Sequence, residues 1–225
     1  MKKITLAILM LLGTFSMASA ELGVNIGVSG QMGVFQATAT EKTDLEIAAA
    51  SRETQRSESA VAAYGFNSIF LEKTIGSKLA IGVDYVLGSL ETDTYDRTRP
   101  DLLSKTDGAA SNVTQKIQVD FDNLITGYVN LNLSDNFYLS AGLMSVDVTT
   151  NETLGTGSTY GNTSLTGSSY GFGYHHSFDN GMFVRAAANI LQFDGKTLTS
   201  STGDNQIVVD ELNGANGKLS IGKSF

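Results

Sequence analysis

Apolar and polar residues alternate with a period of two along most of this chain. From Leu22 to Val34 one parity carries Leu22, Val24, Ile26, Val28, Gly30, Met32 and Val34; the other carries Gly23, Asn25, Gly27, Ser29, Gln31 and Gly33. Successive side chains of a strand point to opposite faces, so the run predicts one apolar wall and one polar or small wall. It is longer than the usual strand of about 5–6 residues.

The pattern recurs. Leu79, Ile81, Val83, Tyr85 and Leu87 alternate with Ala80, Gly82, Asp84, Val86 and Gly88. Ile117, Val119, Phe121, Ile125, Val129, Leu131 and Leu133 share a parity against Gln118, Asp120, Asp122, Tyr128, Asn130 and Asn132. Phe137, Leu139, Ala141 and Leu143 oppose Tyr138, Ser140 and Gly142, and Tyr170, Phe172, Tyr174 and Phe178 oppose Ser169, Gly171, Gly173 and Ser177. Met182, Val184, Ala186, Ala188 and Ile190 oppose Arg185 and Asn189, and Ala215, Leu219, Ile221 and Phe225 oppose Asn216, Lys218, Ser220 and Ser224. Near Tyr64, Phe66 and Phe70 the alternation is interrupted by Ile69 and Leu71. The pattern predicts eight strands, over residues 22–40, 59–72, 79–90, 115–133, 137–149, 165–178, 182–193 and 206–225.

The connections alternate in length. Segments 73–78, 134–136 and 179–181 are short turns, the last an Asp-Asn-Gly sequence suited to a tight turn. Segments 41–58, 91–114, 150–164 and 194–205 are long. Eight up-and-down strands then carry every long loop at one end and both termini at the other. This segregation predicts an all-β, eight-stranded antiparallel up-and-down transmembrane barrel, with short periplasmic turns and long external loops. The only proline, Pro100, falls in a long loop, where no ladder loses a donor. Apolar faces then meet lipid and polar faces the lumen. Phe70, Phe137, Tyr138, Phe178, Phe183 and Phe225 cluster near the short turns, while Tyr64, Tyr85, Phe121 and Tyr170 lie further out, predicting two interfacial girdles. The alternative fold is a soluble lipocalin-like barrel with its apolar faces inside.

The N-terminus reads as an export signal. Lys2 and Lys3 precede an apolar run from Ile4 to Leu12, broken only by Thr5, and Ala18-Ser19-Ala20 is a small-x-small cleavage site. The run is too short to span a bilayer, which needs roughly 20 apolar residues. Residues 1–20 are therefore predicted as a cleaved signal peptide, and residues 21–225 as one barrel domain.

Composition narrows the function. The 225 residues contain no Cys and no Trp, with 24 Gly and a formal net charge of −8. Without Cys there is no disulfide framework, thiolate metal site or cysteine nucleophile. The acidic balance argues against nucleic-acid binding, which needs a basic stripe. The two His residues, His175 and His176, are neighbours that face opposite ways on a strand and cannot share one ion; a structural or interfacial role is expected for both. The sequence 156–161 lacks the Lys-Ser/Thr ending of a phosphate loop, and the segment Asp44–Glu53 has the propensity of a short surface helix. Acidic residues of the second long loop offer a weak cation site, with plain solvated charge the simpler reading. Sequons at Asn112, Asn151 and Asn162 are read as chance matches.

The inward parity carries the most informative polar set: Asp84, Arg185 and Lys218, with Tyr128, Asn130 and Asn189. An eight-stranded barrel is just wide enough to be filled by side chains, and a charge there must be paired. Asp84 and Arg185, on opposite strands, are expected to meet across the lumen. Such a pair is either a plug or a gate.

The signal segment, the eight amphipathic strands, the alternating loop lengths and the terminal Phe225 together resemble the small bacterial outer-membrane β-barrels, in outline the OmpA-type transmembrane domain and the opacity-protein and OmpW-type barrels. The resemblance is architectural and spans residues 21–225. It implies that Phe225, Ile221 and Leu219 belong to a C-terminal signal read by the barrel-assembly machinery. Lys223 departs from the apolar residue usual on that parity. It also implies location in the outer membrane of a Gram-negative bacterium, contact with lipid and lipopolysaccharide, an external ligand at the loops and a monomeric state. No cofactor, metal or catalytic residue is expected, and no enzyme activity. Two function classes follow: a structural, adhesive or surface-display role carried by four long external loops, and a small-solute channel.

Overall fold

The computed structural model describes residues 23–47, 50–101, 111–155, 159–201 and 205–225. The expected signal peptide lies outside the described residues. The elements are β1 (Val24–Ile47), β2 (Ala50–Ile75), β3 (Leu79–Leu87), β4 (Leu90–Glu91), β5 (Tyr95–Asp101), β6 (Ser111–Asn132), β7 (Phe137–Leu154), β8 (Thr163–Ser177), β9 (Met182–Phe193), β10 (Lys196–Thr199) and β11 (Asn205–Ser224). Strands pair in the order β1-β2-β3-β6-β7-β8-β9-β11, all antiparallel, and β11 pairs back onto β1 from Asn25↔Ser224 to Thr43↔Asn205. The sheet is therefore an eight-stranded closed barrel, as the alternation predicts. The short strands β4 and β5 extend β6, and β10 extends β11.

The barrel is inside-out relative to a soluble one. Met32, Leu143 and Leu219 on its outer wall are 72%, 76% and 69% exposed, while Ser68 and Glu72 inside are at most 1% exposed. Only an apolar solvent around the wall makes this arrangement favourable. On β1 the exposed apolar positions run from Ile26 to Val34. Their span matches the roughly 9–11 residues a tilted strand needs to cross a bilayer. Thr38 and Thr40 then follow, so the rest of the β1–β2 hairpin projects into water. Asn180 and Gly181 (φ 79°) shape the last tight turn, where Asn180 Oδ1 accepts from Met182 N at 2.9 Å. Gly76 (φ 61°) shapes the first.

Four sequence expectations are corrected. First, the long connections are largely strand. β1 and β2 pair without interruption from Val24↔Lys73 to Ile47↔Ala50, so residues 44–47 and 50–53 are strand where a helix is expected. A short isolated helix is marginal in water, whereas a growing hairpin adds a paired bond at each step. Second, Ile117, Val119 and Phe121 do not share a face with Ile125. A β-bulge shifts the register between Asp122 and Ile125, with Asn123 in the left-handed region (φ 54°). The extra residue reverses the facing of everything toward the long-connection end. Val119 and Phe121 therefore pack inside, beside buried Leu124, Met144, Val146 and Val148. Third, half of the aromatic girdle is interior. Phe70, Tyr138 and Phe183 are buried, Phe183 completely, and Tyr64 packs against the internal cluster with Phe121. Fourth, the strand expected over 79–90 breaks after Leu87, at Gly88 (φ 86°).

The interior glycines are seats for those rings. A Cβ on Gly82 would collide with the Tyr128 ring, one on Gly173 with Tyr138, and one on Gly222 with Phe183. Gly82 is therefore a poor place to add a side chain, although parity alone makes it look permissive.

Refolding titrations in lipid test this wall. Val83→Arg puts a charge on the lipid face near mid-depth and should destabilise by about 2–4 kcal/mol. Gly82→Ala should cost about 1–3 kcal/mol by overpacking against Tyr128. Gly127→Ala, where nothing lies within 4 Å of the added atom, should change stability by less than about 0.5 kcal/mol.

Candidate functional site

The lumen nearest the short turns is filled by charge. Residue 72 shares the inward face of β2 with Phe66, Ser68 and Phe70, all buried, while Ile69 is exposed. That parity drives Glu72 into the lumen at 1% exposure. Opposite it, Arg185 projects from β9 and grips both carboxylate oxygens, with Nη2 donating to Oε1 at 2.7 Å and Nη1 to Oε2 at 2.8 Å. Such a two-pronged pair is the strongest form of ion-pair hydrogen bonding. Asn25 Nδ2 donates to Oε1 at 2.8 Å, and Asn130 Nδ2 and Tyr128 Oη donate to Oε2 at 2.9 and 3.2 Å. The carboxylate is thus surrounded by donors from three other strands, β1, β6 and β9.

Arg185 is held as tightly. Its Nε donates to His175 Nδ1 at 2.8 Å. That places the hydrogen of the neutral imidazole on Nε2, which donates to Ser177 Oγ at 2.7 Å. The guanidinium lies 4.6 Å from the centre of the Phe183 ring, 5.6 Å from Phe70 and 5.8 Å from Tyr138. These faces attract a cation in a site with little water. His176, on the opposite face, meets the Phe178 ring edge-on at 4.9 Å.

A second layer sits next to the first, further from the short turns. Lys218 Nζ pairs with Asp84 Oδ2. Ser68 Oγ donates to the same oxygen at 3.1 Å, and Gln31 Nε2 lies 3.4 Å from Asp84 Oδ1. The chain continues sideways: Asn216 Nδ2 donates to Gln31 Oε1 at 2.6 Å and Asn189 Nδ2 to Asn216 Oδ1 at 2.7 Å. Beyond it the lumen turns apolar, with Phe66, Val86, Leu124, Met144, Leu191 and Phe193 in one cluster.

All six residues singled out in the lumen lie there, but Asp84 and Arg185 do not pair. Asp84 is opposite Phe70 in the β2–β3 register, and Glu72 is opposite Gly82, two residues nearer the short turns. Barrel strands are tilted and staggered, so counting along the chain does not fix which residues share a level. Glu72 was missed because it stands beside Lys73 and Thr74 and looks like the polar end of a strand. Once Ile69 and Leu71 are assigned to lipid, its inward facing follows. Leu219 and Ile221 face outward on β11, and Phe225 is half exposed beside them with Lys223 Nζ 5.7 Å from its ring centre.

A cavity of about 660 Å³ opens at the short-turn mouth and ends on Asn25, Glu72, Asn130 and Arg185. A smaller cavity of about 80 Å³ is bordered by Arg185, Asp84 and Lys218 and reaches Phe66, Leu124 and Met144.

No protein-family model and no curated protein sequence matches this chain. Among solved structures it is similar to the outer membrane protein OprG from Pseudomonas aeruginosa, at 12% identity over 91% of this chain and 97% of that one, with a TM-score of 0.48. It is similar to the outer membrane protease OmpT from Escherichia coli, at 10% identity over 93% and 99%, with a TM-score of 0.44. A third is Ail, the attachment invasion locus protein of Yersinia pestis, at 8% identity over 84% and 98%, with a TM-score of 0.28.

Removing one member of the Glu72–Arg185 pair strands a buried charge, so Glu72→Gln and Arg185→Gln should each destabilise by about 3–5 kcal/mol, and the double variant should recover part of that loss. Equilibrium unfolding of both cycles separates the partners. Strong coupling is expected for Glu72 with Arg185, and additivity within about 0.5 kcal/mol for Asp84 with Arg185.

Proposed function

We propose that this chain is a bacterial outer-membrane β-barrel with a shut lumen, whose work is done by the half that projects outward: structural, adhesive or surface-display. The observation that carries this reading is the five-fold donor shell of Glu72 across the lumen. A buried carboxylate held from three other strands braces the barrel and occupies the lumen at its level. The hairpin of β1 and β2, 24 and 26 residues long, extends well past the apolar band and offers an external surface. No catalytic role enters this reading. The cavity at the short-turn mouth favours a second reading, a small-solute channel that conducts when the Glu72–Arg185 pair opens.

Planar-bilayer recording distinguishes the two. The native barrel should be silent or show only small, rare openings. Arg185→Ala should raise the open fraction or prevent refolding. A large, steady native current, unaffected by Arg185→Ala, would support the channel. Orientation is checked on whole cells: a single Cys at Thr98 should react with an impermeant maleimide, and one at Gly76 should not.

A further inference from the structure

The outer wall is rough on one side of the barrel. Four neighbouring strands present small residues to lipid there: Ala186 and Ala188 on β9, Gly217 on β11, Gly30 on β1 and Gly65 on β2. Two large apolar side chains stand up among them. Met32 is flanked in register by Gly65 and Gly217, and Leu219 by Gly30 and Ala186. The three glycines differ from those that seat the interior rings. A Cβ on Gly65 or Gly217 would meet nothing within 4 Å, and one on Gly30 would meet only Asn67 Oδ1, at 3.8 Å. None of the three has a positive φ, and no bulge falls among them. Glycine weakens the interior of a strand; where no bend or bulge requires it, it marks the close approach of another backbone.

Asn67 stands in the same patch. It is exposed on the outer face of β2, between Ile69 and Gly65, and pairs with Gly30 at the centre of the apolar stretch Ile26–Val34 of β1. Its carboxamide therefore faces hydrocarbon near mid-depth, about 15 Å from either headgroup layer, out of reach of both. Among the described residues its side chain has no hydrogen-bond partner. An unpaired amide is costly in hydrocarbon, and acyl chains offer it nothing to bond. A carboxamide carries both donors and an acceptor, so a second carboxamide satisfies it reciprocally. Among the described residues the other outward carboxamides of these strands, such as Gln36 and Gln192, lie beyond the apolar stretch. The group that matches Asn67 in kind and in depth is Asn67 of a second copy.

We infer that this face is the interface of a homodimer within the membrane, with its two-fold axis along the bilayer normal in front of Asn67. Two copies inserted in the same direction meet at equal depth. Their Asn67 carboxamides bond to each other, and the Met32 and Leu219 side chains of one copy enter the small-residue hollows of its partner. A two-fold contact must be self-complementary, and a face that carries both the projections and the hollows meets that condition. Lipid gives no hydrophobic drive to association, so close packing at small residues and hydrogen bonds between polar side chains supply it. The architectural resemblance implies a monomer; the dimer takes its place. The inference goes beyond the external role of the loops and is independent of whether the lumen conducts.

The chain has no Cys, so a single Ser77→Cys site on the first short turn can carry a donor or an acceptor dye. Donor- and acceptor-labelled barrels are refolded together into phosphatidylcholine vesicles, and energy transfer is recorded over a series of protein-to-lipid ratios. The native barrel should follow a monomer–dimer curve that rises above the transfer between random neighbours. Asn67→Leu should move that curve to about tenfold higher protein density. Asn67→Gln, which keeps the carboxamide, should move it less. Gly65→Leu and Gly217→Leu, which fill the hollows, should each move it at least as far as Asn67→Leu. Gly127→Leu, at an outward glycine of β6 on the far wall with the same open space around it, should leave it unchanged. Asn67→Leu puts an apolar side chain on the lipid face, so its unfolding in lipid should show a barrel at least as stable as the native one. Transfer no greater than that between random neighbours would overturn the inference. So would a native dimer unmoved by Asn67→Leu and Gly65→Leu, which would put the contact on another face. An equal shift with Gly127→Leu would trace the effect to the barrel itself and would also overturn it.

Discussion

A backbone in an apolar solvent has no water to satisfy its N–H and C=O groups, and every other feature of this molecule follows from that. A sheet meets the requirement only by closing, which is why β11 returns to β1 over nearly its whole length. Closure at eight strands fixes a narrow bore. A narrow bore has to be filled, and the filling decides whether the barrel is a pipe or a post. Here the filling is two ion-pair layers near one end and an apolar cluster beyond them.

The filling works by complementary volumes. Large rings and long charged chains enter the lumen because neighbouring strands present glycine at the same level. Phe70 lies over Gly27, Tyr128 over Gly82, Tyr138 over Gly173 and Phe183 over Gly222. Three of these four rings, Phe70, Tyr138 and Phe183, then surround the Arg185 guanidinium. The glycines therefore contribute to the electrostatics indirectly. They make room for the aromatic faces that replace the water a cation would otherwise have.

The sequence made the architecture legible because lipid on one side and a filled lumen on the other force strict alternation. That holds for β3, β7, β9 and β11, where the assigned faces match the burial. It fails where the environment is the same on both sides. Beyond the apolar band no lipid enforces alternation, so the segment 41–58 carries no periodic signal and reads as loop, although its described residues are paired strand. It fails too where polar residues choose among partners. Parity identifies Arg185 and Asp84 as inward, but only the stagger of the closed sheet gives Arg185 to Glu72 and Asp84 to Lys218. The interior rings were misassigned for a related reason: an aromatic residue near a short turn suits an interface and a glycine-lined lumen equally well.

The bulge at Asn123 has a consequence for how this strand tolerates change in length. An alternating strand is a two-letter reading frame, and one inserted residue puts every later side chain on the wrong face. β6 already contains such an insertion. Its external half is written in the opposite frame to its membrane half, with Val119 and Phe121 inside and Asp120 and Asp122 outside. Loss of Asn123 alone would keep all the chemistry of β6 and invert it, turning carboxylates toward the apolar cluster and a phenyl ring toward water. The frame of the strand is set by a single residue whose side chain takes no part in the core.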